Sequence, residues 1–370
     1  MGVGEPPLAR VVTPKASFWA DRQVLVTGHT GFKGAWLSLW LAEMGARVHG
    51  YSLDPVDGPT VFDAGGVVDL LDSDTRADLR EQSAVRETVD AVRPEIVFHL
   101  AAQPLVSAGY QLPSETWATN VMGTVHVLEA VRHQPSVRAV VVITTDKVYE
   151  DYGTGVSHLE SNRLGGHDPY SSSKAAVEMV AASYRQSFWA ADDGCDVRLG
   201  TARAGNVIGG GDWGIDRLIP DCIRAFETGK PCVIRSPNSV RPWQHVLEPL
   251  SGYLVLAERL ARDGGNEYAS AWNFGPNQTS EVTVKQVAEM VALAWGDGAE
   301  VLQDPSSGGF HETRTLRLNS DKAEKVLGWS PRWNLAKAVG LTVDWHLRIA
   351  DGADARMLCL DHIAEYSGSC

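Results

Sequence analysis

The feature that most constrains the fold is a glycine-rich loop between an apolar run and a helical stretch. Residues 23–27 are apolar and typical of a buried parallel strand, and residues 35–44 have helical composition. Between them Gly28, Gly31 and Gly34 have the spacing G-x-x-G-x-x-G. Glycines at this position allow a tight turn and let backbone N–H groups approach a pyrophosphate at the positive end of the helix. The pattern predicts a dinucleotide-binding βαβ unit.

The same alternation of strand and helix continues along the first half of the chain. Further apolar runs predict strands at residues 47–51, 95–100, 139–144 and 197–202. Helical stretches separate them at residues 80–92, 116–132 and 171–188. Strands that alternate with helices indicate an α/β protein with a doubly wound parallel sheet.

The composition of the sequence changes near residue 209, where glycines and prolines begin to separate shorter predicted elements. We therefore predict a loose leader at residues 1–17, a Rossmann-type dinucleotide-binding domain at 18–210 and a smaller C-terminal α/β domain at 211–370. The strand-like residues 272–274 are candidates to return to the first sheet, so the two domains are expected to be partly interlaced.

Composition excludes several classes of function. The chain has 33 basic and 46 acidic residues, a formal charge of −13, which argues against a broad basic surface for nucleic acid or anionic lipid. The 5 cysteines are scattered without a C-x-x-C pair, so we expect reduced thiols and no metal site. The sequence shows neither a signal-peptide pattern nor an apolar run long enough to span a membrane, and we expect a cytoplasmic protein.

A second motif carries candidate catalytic groups. Tyr170 and Lys174 form a Y-x-x-x-K pattern at the start of a predicted helix, where residues four apart share a face. Thr145, Asp146 and Lys147 follow the predicted strand at 139–144. Because ligands bind at the carboxyl edge of a parallel sheet, hydroxyl, carboxyl and ammonium groups are expected to meet there.

These residue types suit the oxidation of an alcohol. Such a reaction needs a base on the hydroxyl while hydride leaves carbon for a nicotinamide. Tyr170 is the candidate base, and the ammonium of Lys174 is expected to lower its pKa from the usual value of about 10. Thr145 can orient the same hydroxyl by a hydrogen bond.

Together these segments resemble the extended short-chain dehydrogenase/reductase family and, within it, the CDP-glucose 4,6-dehydratases. The resemblance extends from about residue 18 to residue 345. Its specific segments are G-H-T-G-F-K-G at 28–34, H-L-A-A-Q-P at 99–104, N-V-M-G-T at 120–124, T-D-K at 145–147, G-G-H-D-P-Y at 165–170, R-A-G-N-V-I-G-G-G-D-W at 203–213 and R-P-W-Q-H-V at 241–246.

The resemblance implies a reaction with bound NAD. Tyr170 would remove the proton of the sugar's C4 hydroxyl as hydride passes to NAD, the resulting ketone would acidify C5, and hydride would later return to C6. Asp146 matches the family's acid, which expels the C6 hydroxyl as water. Lys147 stands where related dTDP-glucose dehydratases carry a glutamate base.

The resemblance also implies ligand contacts. Asp54 is the candidate for the adenosine ribose, with a turn beside Pro55 as its alternative role, and the absence of an arginine directly after it favours NAD over NADP. Arginine side chains are suited to binding the diphosphate of a nucleotide sugar. The alternative role for the candidate arginines is that of solvated surface side chains. The other cofactor candidates are Gly28, Thr30, Gly31, Phe32, Gly34, Asp78, Leu79, Ala101 and Ala102, and the substrate candidates are Gln103, Asn206, Arg235 and Arg241.

Three alternatives stay open at this point. The same scaffold serves nucleotide-sugar epimerases, although Asp146 and Lys147 argue against one, since epimerisation expels no hydroxyl. A dehydratase for another nucleotide-diphosphate glucose is a second alternative, and a dinucleotide-binding protein without turnover is the third. The resemblance further implies a homodimer formed through the helices at 116–132 and 171–188.

Overall fold

The computed structural model describes residues 11–150, 153, 155–190, 196–277, 281–296, 298–304 and 315–368. The strands are β1 Gln23–Thr27, β2 Arg47–Ser52, β3 Ser73–Arg76, β4 Ile96–His99, β5 Ala139–Ile143, β6 Arg198–Ala204, β7 Val207–Ile208, β8 Cys232–Ile234, β9 Val240–Pro242, β10 Gln244–His245, β11 Ala271–Phe274, β12 Glu281–Thr283 and β13 Val301–Gln303.

The α-helices surround and extend this sheet structure. They are α1 Ala16–Trp19, α2 Phe32–Glu43, α3 Val61–Ala64, α4 Gln82–Val92, α5 Val106–Gln111, α6 Pro113–Trp117, α7 Gly123–Arg132, α8 Pro169–Phe188, α9 Leu218–Glu227, α10 Leu247–Leu260, α11 Val284–Trp295, α12 Leu335–Ala350 and α13 Ala355–Gly368.

Seven parallel strands form the central sheet in the order β11-β6-β5-β4-β1-β2-β3. The predicted doubly wound parallel sheet is confirmed. The strands β4 and β5 are buried along their whole length, as is typical when helices cover both faces of a parallel sheet. Strand β3 was not predicted, because its residues are polar and only half-buried at the sheet edge.

Two helices that border the site follow local sequence signals. The Asp168 side chain accepts a hydrogen bond from the Ser171 N–H, and Pro169 occupies the first turn, so α8 begins where the catalytic motif begins. The predicted helix at 116–132 is present as α6, a π-helical turn at Ala118–Met122 and α7.

The C-terminal part of the chain contributes to both regions of the fold. Strand β11 pairs with β6, so residues 271–274 return to the central sheet as expected. Helices α9, α11 and α12 form a separate apolar core with β8. The division at residue 210 stays a prediction.

Part of the predicted leader is bonded to the rest of the protein. Residues 1–10 lie outside the described residues. The Val12 N–H donates to the Gly328 carbonyl at 2.8 Å, and the Lys15 N–H donates to the Glu258 carboxylate at 2.6 Å. The described helices include none that is long and apolar enough to cross a membrane.

Candidate functional site

A cavity of about 760 Å³ opens at the carboxyl edge of the central sheet. This is within the range of about 300–1,000 Å³ that is typical of ligand sites. Every site residue predicted from the sequence lines it except Asp54. The lining therefore includes Gly28, Thr30, Gly31, Phe32, Gly34, Asp78, Leu79, Ala101, Ala102, Gln103, Thr145, Asp146, Lys147, Tyr170, Lys174, Asn206, Arg235 and Arg241.

The glycine loop forms a cradle that side chains cannot enter. Gly28 has φ +76°, and a Cβ atom there would lie 2.7 Å from the backbone nitrogen of Ala101. A Cβ atom on Gly34 would lie 2.0 Å from the Gly28 carbonyl oxygen. Gly31 caps the N-terminus of α2 without a side-chain hydrogen bond. The tight turn of the loop and the positive end of the helix fit a pyrophosphate.

Asp54, predicted for the adenosine ribose, lies outside the cavity lining. Strand β2 ends at Ser52, whose hydroxyl is 2.8 Å from the Thr30 hydroxyl. Asp54 lies beyond the strand end, with 87% of its side chain exposed and 3.6 Å from Arg76. It is not among the residues that line the cavity, and its assignment to the ribose stays a prediction. Asp78 does line the cavity.

The carboxylate of Asp78 is held in place by Arg80. It accepts hydrogen bonds from the Arg80 backbone N–H at 2.8 Å and from the Arg80 guanidinium at 2.6 and 2.9 Å. These bonds lower the pKa of Asp78. The side chain of Leu79 packs under Gly123, where it is 3.0 Å from the position of an added Cβ atom.

The candidate catalytic residues meet at the ends of β5 and α8. The hydroxyls of Tyr170 and Thr145 are hydrogen-bonded. The Thr145 hydroxyl donates to Oδ1 of Asp146 at 3.0 Å, and the Lys147 Nζ lies 3.6 Å from the same oxygen. Oδ2 of Asp146 is buried and has no hydrogen-bond partner in the described part of the chain. An unpaired buried carboxylate oxygen beside a tyrosine hydroxyl is suited to proton transfer.

Burial sets the protonation of the Tyr170–Lys174 pair. It raises the pKa of Tyr170 to about 12, against a smaller opposing effect of the hydrogen bond with Thr145. It lowers the pKa of Lys174 to about 8, against a smaller opposing effect of Glu178. The expectation that the pKa of Tyr170 lies below its usual value is therefore wrong for the protein alone, because desolvation of the phenolate is the largest effect on it.

The predicted substrate-binding residues differ in their exposure and in their contacts within the protein. Arg241 is only 4% exposed and lies in the cavity wall. Oδ1 of Asn206 is buried without a hydrogen-bond partner among the described residues. Gln103 is largely engaged, because its Nε2 donates to Thr116 and its Oε1 accepts from the Leu105 N–H. Arg235 is half-exposed and pairs with Asp216 at 3.3 Å.

Several cavity residues were not identified from the sequence. Lys33 lies within the glycine loop, and burial together with Arg217 lowers its pKa to about 7. The Arg217 guanidinium is fixed by Asp212 at 2.8 Å. The Trp243 Nε1 is buried and has no partner in the described structure. Lys33 and Trp243 lie inside sequence motifs quoted above, whereas no motif in the sequence around Arg217 marks it as a site residue.

A buried ion pair connects helix α8 with the neighbouring strands of the central sheet. Glu178 lies one helical turn after Lys174 and pairs with Arg203 at 2.9 Å, with both side chains less than 5% exposed. Its carboxylate also accepts hydrogen bonds from the hydroxyls of Thr144 at 2.6 Å and Thr201 at 2.7 Å. The pair joins α8 to β5 and β6 directly beneath Thr145.

Comparisons with known proteins identify the family of the chain. The model of the NAD dependent epimerase/dehydratase family matches residues 24–275. The CDP-glucose 4,6-dehydratase of Salmonella typhimurium is 47% identical over 95% of this chain and 97% of its own length. The dTDP-glucose 4,6-dehydratase of Streptomyces antibioticus is 29% identical over 87% of this chain and 92% of its own.

Solved structures share the fold. The dTDP-glucose 4,6-dehydratase of Bacillus anthracis, in complex with NAD, superimposes with a TM-score of 0.73 at 22% identity. The match covers 89% of this chain and 97% of that one.

Proposed function

Because the chain belongs to the NAD-dependent epimerase/dehydratase family, we propose that it dehydrates CDP-glucose to CDP-4-keto-6-deoxy-glucose. The observation that carries this proposal is the acid, the amine and the tyrosine at one end of the cavity. Asp146 keeps a buried, unpaired carboxylate oxygen beside the Thr145–Tyr170 hydroxyls, and Lys147 lies next to it. Removal of water needs both an acid and a base, whereas the sister epimerisation needs neither at a leaving hydroxyl.

The residues of the cradle fit NAD. Gly28, Gly31 and Gly34 would hold the pyrophosphate, because side chains are excluded there and the N-terminus of α2 faces it. Asp78 and Leu79 would contact the adenosine, and Ala101 and Ala102 would pack against the cofactor from the adjacent strand end. When bound, the cofactor supplies a hydride acceptor for C4 and a hydride donor for C6, and its positive ring favours ionisation of the neighbouring tyrosine.

Tyr170 and Thr145 begin the reaction. Tyr170 removes the proton from the C4 hydroxyl of glucose, and Thr145 holds that hydroxyl in line by a hydrogen bond. Lys174 donates a hydrogen bond to the Ile143 carbonyl at 3.1 Å, which fixes its ammonium one turn from Tyr170. The positive charge of Lys174 stabilises the developing phenolate.

Asp146 and Lys147 carry the elimination. Once C4 is a ketone, the proton on C5 is acidic, and Lys147 in its neutral form removes it. Asp146 in its protonated form gives its proton to the C6 hydroxyl, which leaves as water. As hydride reaches C6, Lys147 returns its proton to C5 and is neutral again, and the proton that Tyr170 took from the C4 hydroxyl restores the acid form of Asp146. The distance of 3.6 Å between Lys147 Nζ and Asp146 Oδ1 keeps the base and the acid at the same end of the cavity.

The diphosphate of the substrate would lie against Arg241 and Asn206. Arg241 is buried in the wall, so its charge is poorly screened and favours a bound phosphate. Arg235 lines the same cavity, is half-exposed and would contact the nucleotide. Gln103 would act by holding the loop at Leu105, since its own amide is largely engaged.

The experiment that tests this function compares four substrates. Purified protein with a catalytic amount of NAD is incubated with CDP-, dTDP-, UDP- and GDP-glucose, and products are identified by mass. Loss of one water from CDP-glucose, without net NADH, is expected. The Tyr170→Phe variant is the control and should give no product. Stoichiometric NADH would indicate a simple dehydrogenase, and a product of unchanged mass would indicate an epimerase.

The homodimer implied by the family is a second part of the proposal. Large apolar side chains remain exposed on the two helical segments expected to pair, namely Trp117, Met122, Met179 and Phe188. Burying such a patch is a common reason for dimer formation. Met179→Glu should shift the mass in solution, measured by light scattering, from dimer to monomer. Leu293→Glu, at a still more exposed site on α11, should not.

We further propose that the enzyme works in the cytoplasm. The described cysteines, Cys222, Cys232 and Cys359, are free thiols, which suits a reducing compartment. Fractionation of the producing cells with an antibody against the protein would test this location.

A further inference from the structure

Two cysteines face each other in the wall of the substrate half of the cavity. Cys222 lies on α9 and Cys232 is the first residue of β8, and both are buried. Their sulfur atoms are 2.7 Å apart. A disulfide bond has a length of about 2.05 Å, so a shift of about 0.7 Å would bring the sulfurs to bonding distance.

The two elements joined by this contact form one wall. Residues 219–221 of α9 and residues 232–235 around β8 line the cavity, and Cys232 itself is part of the lining. The turn between the elements contains Gly229 at φ +63°, and the Lys230 N–H returns to the Ala225 carbonyl at 2.9 Å. A bond between the sulfurs would therefore link two facing parts of the wall without crossing the molecule.

The thiols are also asymmetric. The hydrogen bond between the two thiols lowers the pKa of Cys232 and raises that of Cys222. The thiolate is the reactive form of cysteine, so the sulfur that lines the cavity is the one prepared to react. Cys359, the other described cysteine, lies in a different core cluster with α13.

We propose that Cys222 and Cys232 are a redox modification site at which a hydroperoxide entering through the cavity forms a reversible disulfide. The Cys232 thiolate attacks the peroxide O–O bond, becomes a sulfenic acid and releases the second oxygen as water after protonation. The Cys222 sulfur then attacks the sulfenic sulfur, forms the S–S bond and releases a second water. Two thiols lose two electrons and two protons, hydrogen peroxide is reduced to two waters, and a dithiol reverses the change.

The disulfide should weaken binding of the nucleotide sugar. It would pull β8 toward α9 and prevent the wall from adjusting as the ligand enters, while Tyr170 and Asp146 lie on other elements. KM for the nucleotide sugar should therefore rise several-fold, and kcat should change less. This kinetic part rests on the proposed function, whereas formation of the bond does not.

The experiment uses the full-length protein. Reduced protein is treated with a small excess of hydrogen peroxide, quenched with a thiol-blocking reagent and digested without reductant. A cross-linked peptide joining Cys222 to Cys232, lighter by two hydrogen atoms and reversed by dithiothreitol, is expected. Mapping by peptide also separates this product from oxidation of Cys195 and Cys370, which lie outside the described residues.

Two variants complete the test. Cys222→Ala should lose both the cross-link and the rise in KM on oxidation, and Cys359→Ala, also buried, should retain both. Absence of the cross-link in the parent protein would overturn the proposal, and so would an equal response of KM in the parent and Cys222→Ala. If the parent forms the cross-link but no nucleotide-diphosphate glucose is dehydrated, the proposed function fails and the modification site stands.

Discussion

The ion pair between Glu178 and Arg203 offers a quantitative test of how the site is held together. Glu178 is 2% exposed, and its two carboxylate oxygens accept four hydrogen bonds. Two come from Arg203, both at 2.9 Å, and the others come from Thr144 and Thr201. Replacing Glu178 by Gln keeps the shape of the side chain but exchanges one acceptor oxygen for an NH₂ group that faces hydrogen-bond donors.

The expected cost follows from what the variant leaves buried. Arg203 is 3% exposed and would keep its charge without a counter-ion. Breaking a buried ion pair by removing one partner costs about 3–5 kcal/mol. Arg203 retains hydrogen bonds to the Tyr149 hydroxyl at 2.7 Å and the Glu160 carbonyl at 3.1 Å, so we expect a loss near the lower end, about 3 kcal/mol.

Urea unfolding at neutral pH measures this loss. A second variant, Glu178→Leu with Arg203→Met, should recover most of it, because replacing both partners of a buried pair by apolar groups is often close to neutral. A single variant as stable as the parent would refute the reasoning. A double variant as unstable as the single one would refute it too, since the cost would then come from packing.

The pH dependence of stability has a definite sign. Arg203 and the two threonines hold the pKa of Glu178 below its usual value, so the carboxylate contributes stability that is present above the unfolded pKa of about 4.3. That contribution is lost as pH falls through the folded pKa. The gap in free energy of unfolding between parent and Glu178→Gln should therefore narrow in acid.

The same variant has a catalytic readout. Glu178 opposes the effect of burial on Lys174, whose pKa is about 8. Without the carboxylate this pKa falls further, so the ammonium beside Tyr170 is lost at a lower pH. The alkaline limb of the kcat profile should shift downward in Glu178→Gln. Glu258→Gln, which changes a buried glutamate bonded to Trp19, should keep the parent profile.

Four further substitutions test individual roles. Tyr170→Phe should lower the rate by about 10²–10⁴ while NAD affinity by calorimetry is kept, and near-parent activity would remove Tyr170 as the base. Lys147→Ala should accumulate NADH and a 4-keto sugar that takes up little deuterium at C5, whereas rapid exchange would place the base elsewhere. Arg241→Ala should raise KM more than it lowers kcat, and an unchanged KM would make Arg241 structural. Gly34→Ala should abolish NAD binding, because its Cβ would lie 2.0 Å from the Gly28 oxygen, and retained binding would contradict this.

The sequence was sufficient where local signals and sheet geometry agree. Strand β1 has the predicted bounds, because its apolar run is followed by Gly28. This glycine adopts φ +76°, a backbone conformation that residues with a Cβ atom rarely adopt. The motifs at residues 99–104 and 145–147 follow neighbouring strands. Since parallel strands place their carboxyl ends at one edge, residues distant in sequence had to meet in one cavity.

The sequence was insufficient where a property depends on distant residues. Strand β3 is polar because its side chains bond to other elements, as in the pair of Asp74 and His29 at 2.8 Å, and no apolar period marks it. Asp54 has the expected spacing after Gly34, but β2 stops two residues earlier. The pKa of Tyr170 depends on burial by the whole site, which the spacing to Lys174 does not reveal.

Net charge illustrates the same limit. The chain has a formal charge of −13, yet the lining of its cavity includes the cations Lys147, Lys174, Arg217 and Arg241. The interaction of exposed charges is screened over about 8 Å at physiological salt, whereas charges within a cavity are screened much less. A diphosphate inside therefore responds to these cations and not to the acidic residues on the outer surface. For this reason a nucleotide-sugar site is fully compatible with an acidic composition.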